Sequence, residues 1–174
     1  MPAEALLLDV GKVILDITPP AVHAFAAVSD KTAGDFANEF AFFRAVAEVA
    51  VDLMIDQDAV ALMRDARAAG RRVGVLSNDA YSIMGREFFA NRPEFAELDA
   101  FVDAADIGVR KPGLAAYQRA AEALGVPPDR VVFLDDTPEC VDGGRAAGMR
   151  VIQVDPADRK PAFDTARDVL GVPT

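Results

Sequence analysis

With 174 residues, 52% of them apolar and 26% charged, the chain is long enough to bury one substantial core and has the balance of a soluble globular domain. Its net charge of −10 comes without any basic run, which excludes a surface built to displace counterions from nucleic acid. The lone cysteine, Cys140, cannot close an internal disulfide. No apolar stretch approaches the ~18 residues of a membrane span, so a cytoplasmic protein with no membrane partner is expected.

Residues 6–8 (Leu-Leu-Leu) read as a short buried strand that ends in Asp9, and a second apolar run follows at Val13 to Leu15. An acid leaving a buried strand costs desolvation energy unless a cation, hydrogen bonds or a reaction compensates. Taken alone, it also suits an ordinary turn. Pro19-Pro20 stops any strand and can open a helix over 21–28. His23, the only histidine, has no second imidazole or cysteine near it, so no zinc site is expected. From Ala33 to Ala50 the spacing of Phe36, Phe40, Phe43 and Ala47 predicts one amphipathic helix, its stripe either core or the lining of a pocket. A further helix is predicted from about Asp58 to Ala69, with acids at its start and Gly70 at its end.

Arg72 to Leu76 is the second predicted strand, and it runs into Ser77-Asn78-Asp79 ahead of a helix over roughly 80–90. Amide groups at that helix start, with the Ser77 hydroxyl, make an anion seat. The same residue types are equally the preferred caps of a helix. Phe101 to Ala104 reads as a short strand, and Pro112 sits at the first turn of a helix running to about Leu124, closed by Gly125. Lys111 precedes that helix, where a cation opposes the helix dipole unless an anion lies between them. Val131 to Leu134 is a strand that ends in Asp135-Asp136, adjacent acids whose repulsion a divalent cation such as Mg²⁺ would relieve. A helix over Pro138 to Ala147, a strand over Arg150 to Val154 and a helix over 162–170 complete the chain.

Strands alternating with helices predict an α/β fold, a doubly wound, mostly parallel Rossmann-like sheet. Asp9, Ser77-Asn78, Lys111 and Asp135-Asp136 all follow strands or open helices, so they would gather along one sheet edge. A carboxylate nucleophile, a hydroxyl with amide donors, a cation and a metal-binding acid pair are the equipment for phosphoryl transfer through an aspartyl-phosphate.

Four motifs in order, Leu-Asp-Val-Gly-Lys-Val-Ile, Val-Leu-Ser-Asn, Arg-Lys-Pro and Phe-Leu-Asp-Asp, resemble those of the haloacid dehalogenase (HAD) superfamily over residues 6 to about 154. The likeness is nearest to the glucose-1-phosphatase-like and epoxide-hydrolase phosphatase-domain branch, where the fourth motif is likewise a double aspartate. It implies a HAD-like core of residues 1–17 and 58–174, with residues 18–57 as a short helical cap inserted after the first strand. It further implies a Mg²⁺-dependent phosphatase acting on a small phosphorylated metabolite, a phosphate monoester. Asp9 would attack phosphorus, and Mg²⁺ would be held by Asp9, the Gly11 carbonyl and Asp136, with Asp135 nearby. Ser77 and the Asn78 amide would bind phosphate oxygens, and Lys111 would steady Asp9 and the transferring group.

Three positions depart from the family pattern. Gly11 stands where many family phosphatases carry a second aspartate as general acid and base. Lys12 replaces a usually small residue, so that its ammonium either occupies the phosphate's place or assists its binding. Cys140 replaces an Asn or Asp often found four residues after the metal aspartate. Two other readings therefore stand beside the phosphatase: a non-catalytic binding protein on the same fold, and a dehalogenase using the same nucleophile. The dehalogenase needs no metal and leaves Asp135-Asp136 unexplained. The sequence sets neither the substrate nor the oligomeric state.

Overall fold

The computed structural model describes residues 2–173. Five parallel strands form one sheet in the order β3-β2-β1-β4-β5, made of β1 (Ala5–Leu8), β2 (Arg72–Ser77), β3 (Ala100–Asp103), β4 (Val131–Asp135) and β5 (Arg150–Gln153). β1 lies at the centre, with Leu6 paired to Val73 of β2 on one side and to Val132 of β4 on the other. The expected α/β class and parallel topology are what the chain adopts. The second apolar run, Val13 to Leu15, is buried but forms no sheet strand; Leu15 makes only isolated bridges, to Gly11 and Ile55.

Between β1 and β2 come α1 (Pro19–Val28), α2 (Glu39–Ala50) and α3 (Gln57–Ala68). Thr18, Asn38 and Asp56 cap them, each side-chain oxygen accepting from amides of the first turn. The single helix expected over 33–50 is broken. Ala33–Asp35 is a 3-10 turn held by Thr32 and Asp35, whose carboxylate accepts from the Thr32 amide at 2.7 Å. Asn38 then caps a new helix, its Oδ1 accepting from the Ala41 amide at 2.9 Å. Such local side-chain bonds compete with a continuous helix, which the spacing of the phenylalanines cannot reveal.

The break also changes which ring faces which way. Phe25, Phe36 and Phe42 touch one another with centroids 5.4–6.1 Å apart, around Ala21, Val46, Ala47 and Met54. Phe42 thus holds the inner position that the predicted stripe gave to Phe40, which is 46% exposed.

After β2 the helix expected over 80–90 divides at Gly85, whose φ of 79° no ordinary residue sustains cheaply, into α4 (Ala80–Met84) and α5 (Arg86–Ala90). Two further short helices, α6 (Pro93–Ala96) and α7 (Ala104–Ile107), flank β3. α8 (Leu114–Leu124) begins later than expected. Lys111–Pro112 is a cis peptide and Gly113 is the N-cap, so Pro112 lies outside the helix. α9 (Pro138–Ala146) and α10 (Lys160–Leu170) follow β4 and β5.

Alternation along the strands divides the core. Leu6, Leu8, Val73, Val75, Val132 and Leu134 face Leu62 and Met63 of α3 and Phe163 and Leu170 of α10. Ala5, Leu7, Val131 and Phe133 face Tyr117, Ala120 and Leu124 of α8. Each fully buried leucine or phenylalanine here contributes ~1.5–3 kcal/mol relative to exposure, and helices on both faces make the sheet doubly wound. α9 closes tightly on α8: a Cβ at Gly143 would stand 2.6 Å from the Tyr117 hydroxyl, which donates to the Cys140 carbonyl at 2.7 Å. The strand order turns about β1, so the exits of β1 and β4 form a crevice of the kind where open α/β sheets bind ligands.

Candidate active site

Asp9 leaves β1 at this crevice, fixed by its own amide, which donates to the Leu134 carbonyl of β4 at 2.9 Å. β4 ends in Asp135, and Asp136 follows. One oxygen from each of Asp9, Asp135 and Asp136 lies within 4.8 Å of the others. Lys111 enters from the loop before α8, its ammonium donating to Asp9 Oδ1 at 2.7 Å and to Asp135 Oδ2 at 2.6 Å. The Lys111 side chain is buried and also lies 5.4 Å from the centre of the Phe133 ring. Asp135 has its other oxygen on the Thr137 amide at 2.9 Å, so both are engaged. Asp136 accepts from the Thr137 hydroxyl, at 3.3 Å.

At the end of β2 the Ser77 oxygen accepts from the amides of Asp79 and Ala80 at 3.2 and 3.0 Å, the capping arrangement, which leaves the hydroxyl proton to donate elsewhere. The Asn78 side chain makes a reciprocal pair with the Lys111 backbone: Oδ1 accepts from its amide at 2.8 Å and Nδ2 donates to its carbonyl at 3.0 Å. The Asn78 backbone amide has no partner among the described residues. Sequence reasoning singled out that amide but missed the side chain's part in holding the lysine, because the contact spans 33 residues. It also missed Arg110, which clamps both oxygens of Asp79 at 2.8 and 2.9 Å and donates to the Asn78 carbonyl at 3.2 Å. Thr137 was missed as well; each adjoins a residue already singled out, the only signal the sequence offers for either.

Gly11 and Lys12 line the same crevice. Lys12 has a left-handed φ of 58°, and its carbonyl accepts from Arg159 Nε at 2.8 Å, while the same guanidinium pairs with Asp16. At Gly11 an added Cβ would meet nothing within 4 Å.

Charges in this site are strongly coupled. Burial pushes the Asp9 carboxyl above the usual carboxylate range, and Asp135 adds to that against the pull of Lys111. Burial and then Asp9 raise Asp136 likewise, with Lys12 opposing. Burial alone would lower Lys111, but Asp9 and Asp135 outweigh it and hold its ammonium more firmly protonated than in water. Burial, and next the Asp135 charge, push the Cys140 thiol up to about 11, so it stays a thiol at neutral pH.

Three carboxylates around one ammonium leave an excess of negative charge that an oxygen-seeking divalent cation would neutralise. The donor set fits: Asp9 and Asp136 have oxygens to give, and Gly11 lines the same crevice. Asp135 is committed to Lys111 and Thr137. The cleft above holds about 250 Å³. Phe40 and Phe43 of α2, Ile83 and Met84 of α4, and Leu15 give it an apolar wall, with Glu39 also lining it. Arg44 of α2 fastens the wall by donating to the carbonyls of Ile83 at 2.6 Å and Ser82 at 3.0 Å.

The structure thus brings Asp9, Gly11, Lys12, Ser77, Asn78, Lys111 and Asp135 to one cleft, with Asp136 beside Asp9 and Asp135. Among the described residues no helix is long and apolar enough to cross a membrane. The chain is 38% identical over 98 residues to a phosphatase of Mycobacterium tuberculosis, a match covering 56% of this chain and 45% of that protein. It therefore spans about half the length of the curated relatives it matches. A HAD phosphatase from Thermococcus onnurineus superposes with a TM-score of 0.66 at 17% identity, covering 97% of this chain and 98% of that one. An L-2-haloacid dehalogenase from Xanthobacter autotrophicus does so with a TM-score of 0.58 at 20% identity, covering 97% and 83%. At these identities the two structures establish the fold alone. A family model described as haloacid dehalogenase-like hydrolase matches residues 21–148, and the chain belongs to that family.

Proposed function

We propose that this hydrolase is a Mg²⁺-dependent phosphatase that cleaves a small phosphate monoester through an aspartyl-phosphate on Asp9. The observation that carries the reading is the Lys111 ammonium shared between Asp9 and Asp135, with Asp136 alongside. Lys111 occupies Asp9 Oδ1 and so leaves the other carboxylate oxygen to attack phosphorus. That bond forms as the ester P–O bond breaks, and the alcohol's oxygen departs with the electron pair and takes a proton from solvent water. The Ser77 hydroxyl and the Asn78 amide donate to the phosphoryl oxygens, while Lys111 offsets the charge that builds as two anions meet. Water then attacks phosphorus, the bond to Asp9 breaks, and inorganic phosphate leaves with the carboxylate restored. Asp9, Asp136 and the Gly11 carbonyl would hold Mg²⁺, which would supply Lewis-acid polarisation of the phosphoryl oxygens.

In this reading residues 18–57 act as a short helical cap over a core of 1–17 and 58–174, and α2 gives the cleft its outer wall. The named activity of the Mycobacterium tuberculosis relative supports phosphate esters as substrates. The test is hydrolysis of an aryl phosphate with and without Mg²⁺, alongside Asp9→Asn. Activity that requires Mg²⁺ and disappears in the variant is expected, with a Mg²⁺-dependent rise in melting temperature of the native chain. Turnover that survives Asp9→Asn refutes the mechanism, and metal-free halide release from a 2-haloacid would establish the dehalogenase instead.

A further inference from the structure

Two features of the cleft, separate from the phosphoryl machinery, bear on what the phosphate is attached to. The first is the wall. Phe25, Phe36 and Phe42 of the helical insertion pack against one another, and Phe43, half-buried against the same cluster, lines the cleft with Phe40, Ile83 and Met84. Phe40 stays 46% exposed at the cleft, where its ring is open to contact with a ligand. Arg44 ties α2 to the backbone of α4, which holds the apolar side chains of the two helices together as one wall of the cleft.

The second feature is that the acids beside the phosphoryl site are already paired with cations. A departing alkoxide must be protonated, while an acidic hydroxyl leaves as its anion. Among the cleft acids, Asp9 and Asp135 are tied to Lys111, and Asp79 has both oxygens on Arg110. Glu39 is exposed. Gly11, beside the nucleophile with open space before it, carries no side chain at all.

Both features select the same kind of leaving group. Resting on the phosphatase reading, we infer that the substrate class is the phosphate monoester of a small aromatic alcohol. Its ring lies against the wall of Phe40, Phe43, Ile83 and Met84, and its oxygen leaves without help. The bond from Asp9 to phosphorus forms as the aryl P–O bond breaks, the electron pair stays on the phenolate, and solvent water protonates it after release. The second step consumes one water, so the products are the free phenol and inorganic phosphate. A polyhydroxylated sugar would strand its hydroxyls against apolar surface and would leave as a strongly basic alkoxide.

The test separates the two features with phenyl phosphate, benzyl phosphate (apolar, poor leaving group) and glucose 6-phosphate (polar, poor leaving group), each with Mg²⁺. Phenyl phosphate is expected to exceed benzyl phosphate in kcat/KM by ~10² or more, the scale of a missing general acid. Benzyl phosphate should exceed the sugar phosphate by about tenfold, the worth of one buried apolar contact. Phe40→Ala, at an exposed position where folding is not at risk, and Phe43→Leu should raise KM for phenyl phosphate by about fivefold more than KM for acetyl phosphate, which has no ring. The same variants should weaken benzylphosphonate binding in calorimetry. Glucose 6-phosphate turned over as well as phenyl phosphate, or equal KM changes for phenyl phosphate and acetyl phosphate, overturns the aromatic class and leaves the phosphatase standing. No Mg²⁺-dependent hydrolysis of any ester overturns both.

Discussion

Replacing Lys111 by methionine keeps the length of the side chain and removes the charge that two carboxylates share. Its ion pairs with Asp9 and Asp135 measure 2.7 and 2.6 Å, and the three side chains are only 3%, 15% and 1% exposed, so water cannot take the ammonium's place. Removing one partner of a buried pair costs ~3–5 kcal/mol. At about 2–4 °C per kcal/mol for a domain of this size, the melting temperature should fall by roughly 10 °C. The loss should depend on pH. Burial already raises Asp9 above the ordinary carboxylate range in the folded state, and without Lys111 it rises further. A group with a raised folded pKa gives its full stability below the unfolded value and loses it as pH climbs through the folded one. The deficit of Lys111→Met is therefore largest at neutral pH and shrinks as the pH falls through the carboxylate range. Thermal melts followed by circular dichroism from about pH 4 to 8, with and without Mg²⁺, measure this. Mg²⁺ should restore part of the loss, and adding Asp135→Asn should restore more by removing a stranded charge. A variant that melts within ~2 °C of the native chain at neutral pH refutes the buried triad as described.

Gly11→Asp places a carboxyl in open space beside the nucleophile and should raise turnover of benzyl phosphate by at least about tenfold while changing phenyl phosphate little. A fall on both esters would place position 11 away from the leaving oxygen. Lys12→Gly relieves a left-handed φ of 58° and should stabilise the chain by ~1 kcal/mol in urea melts. The same change should raise KM for phosphate esters; an unaltered KM would mean that the ammonium does not meet the substrate. Asp99 accepts from the Val73 amide at 2.8 Å and from Arg72 at 2.7 Å, and with Arg67 these outweigh burial and hold its carboxyl below the usual range. A depressed acid stabilises above its unfolded pKa and loses that contribution as pH falls through the folded one. Asp99→Asn should thus cost ~1 kcal/mol at neutral pH and progressively less as the pH falls below the ordinary carboxylate range, and a cost that does not shrink in acid would assign the effect to packing.

What the sequence makes legible is whatever follows from strand periodicity and from polar residues at strand ends. The strands at Leu6, Val73, Val132 and Val151 lie where branched and leucine-rich runs place them, and their exits carry Asp9, Ser77 and Asp135 to one edge. The insertion was less readable. Phe36, Phe40 and Phe43 have helical spacing, but Thr32, Asp35 and Asn38 make side-chain bonds that interrupt the helix, and these outweigh a period that any apolar stripe could show. The start of α8 was misplaced because Pro112 suits a first turn in general, while here Asn78 holds the Lys111 backbone outside the helix. Contacts closing over 33 residues have no local signature, so the lysine was visible and its support was not.

The departures from the family pattern bear on the charge of the site. Asp9, Asp135 and Asp136 outnumber the Lys111 ammonium by two charges, so a bound Mg²⁺ would bring the floor of the cleft to neutrality. A phosphate dianion arriving next would then meet amide dipoles and a hydroxyl but no net positive charge. On the proposed reading, Lys12 would correct that. Its ammonium acts on Asp136, and it keeps a backbone conformation that asparagine or glycine would hold at less cost, braced by the Arg159 bond to its carbonyl. The strain is reasonable if the cation is needed where the substrate's charge exceeds that of the metal, and Gly11 beside it then avoids a fourth carboxylate in the same space. On the proposed phosphatase reading, such a site would assist attack on phosphorus without assisting the leaving oxygen, so the identity of the alcohol, more than that of the phosphate, would decide what is turned over.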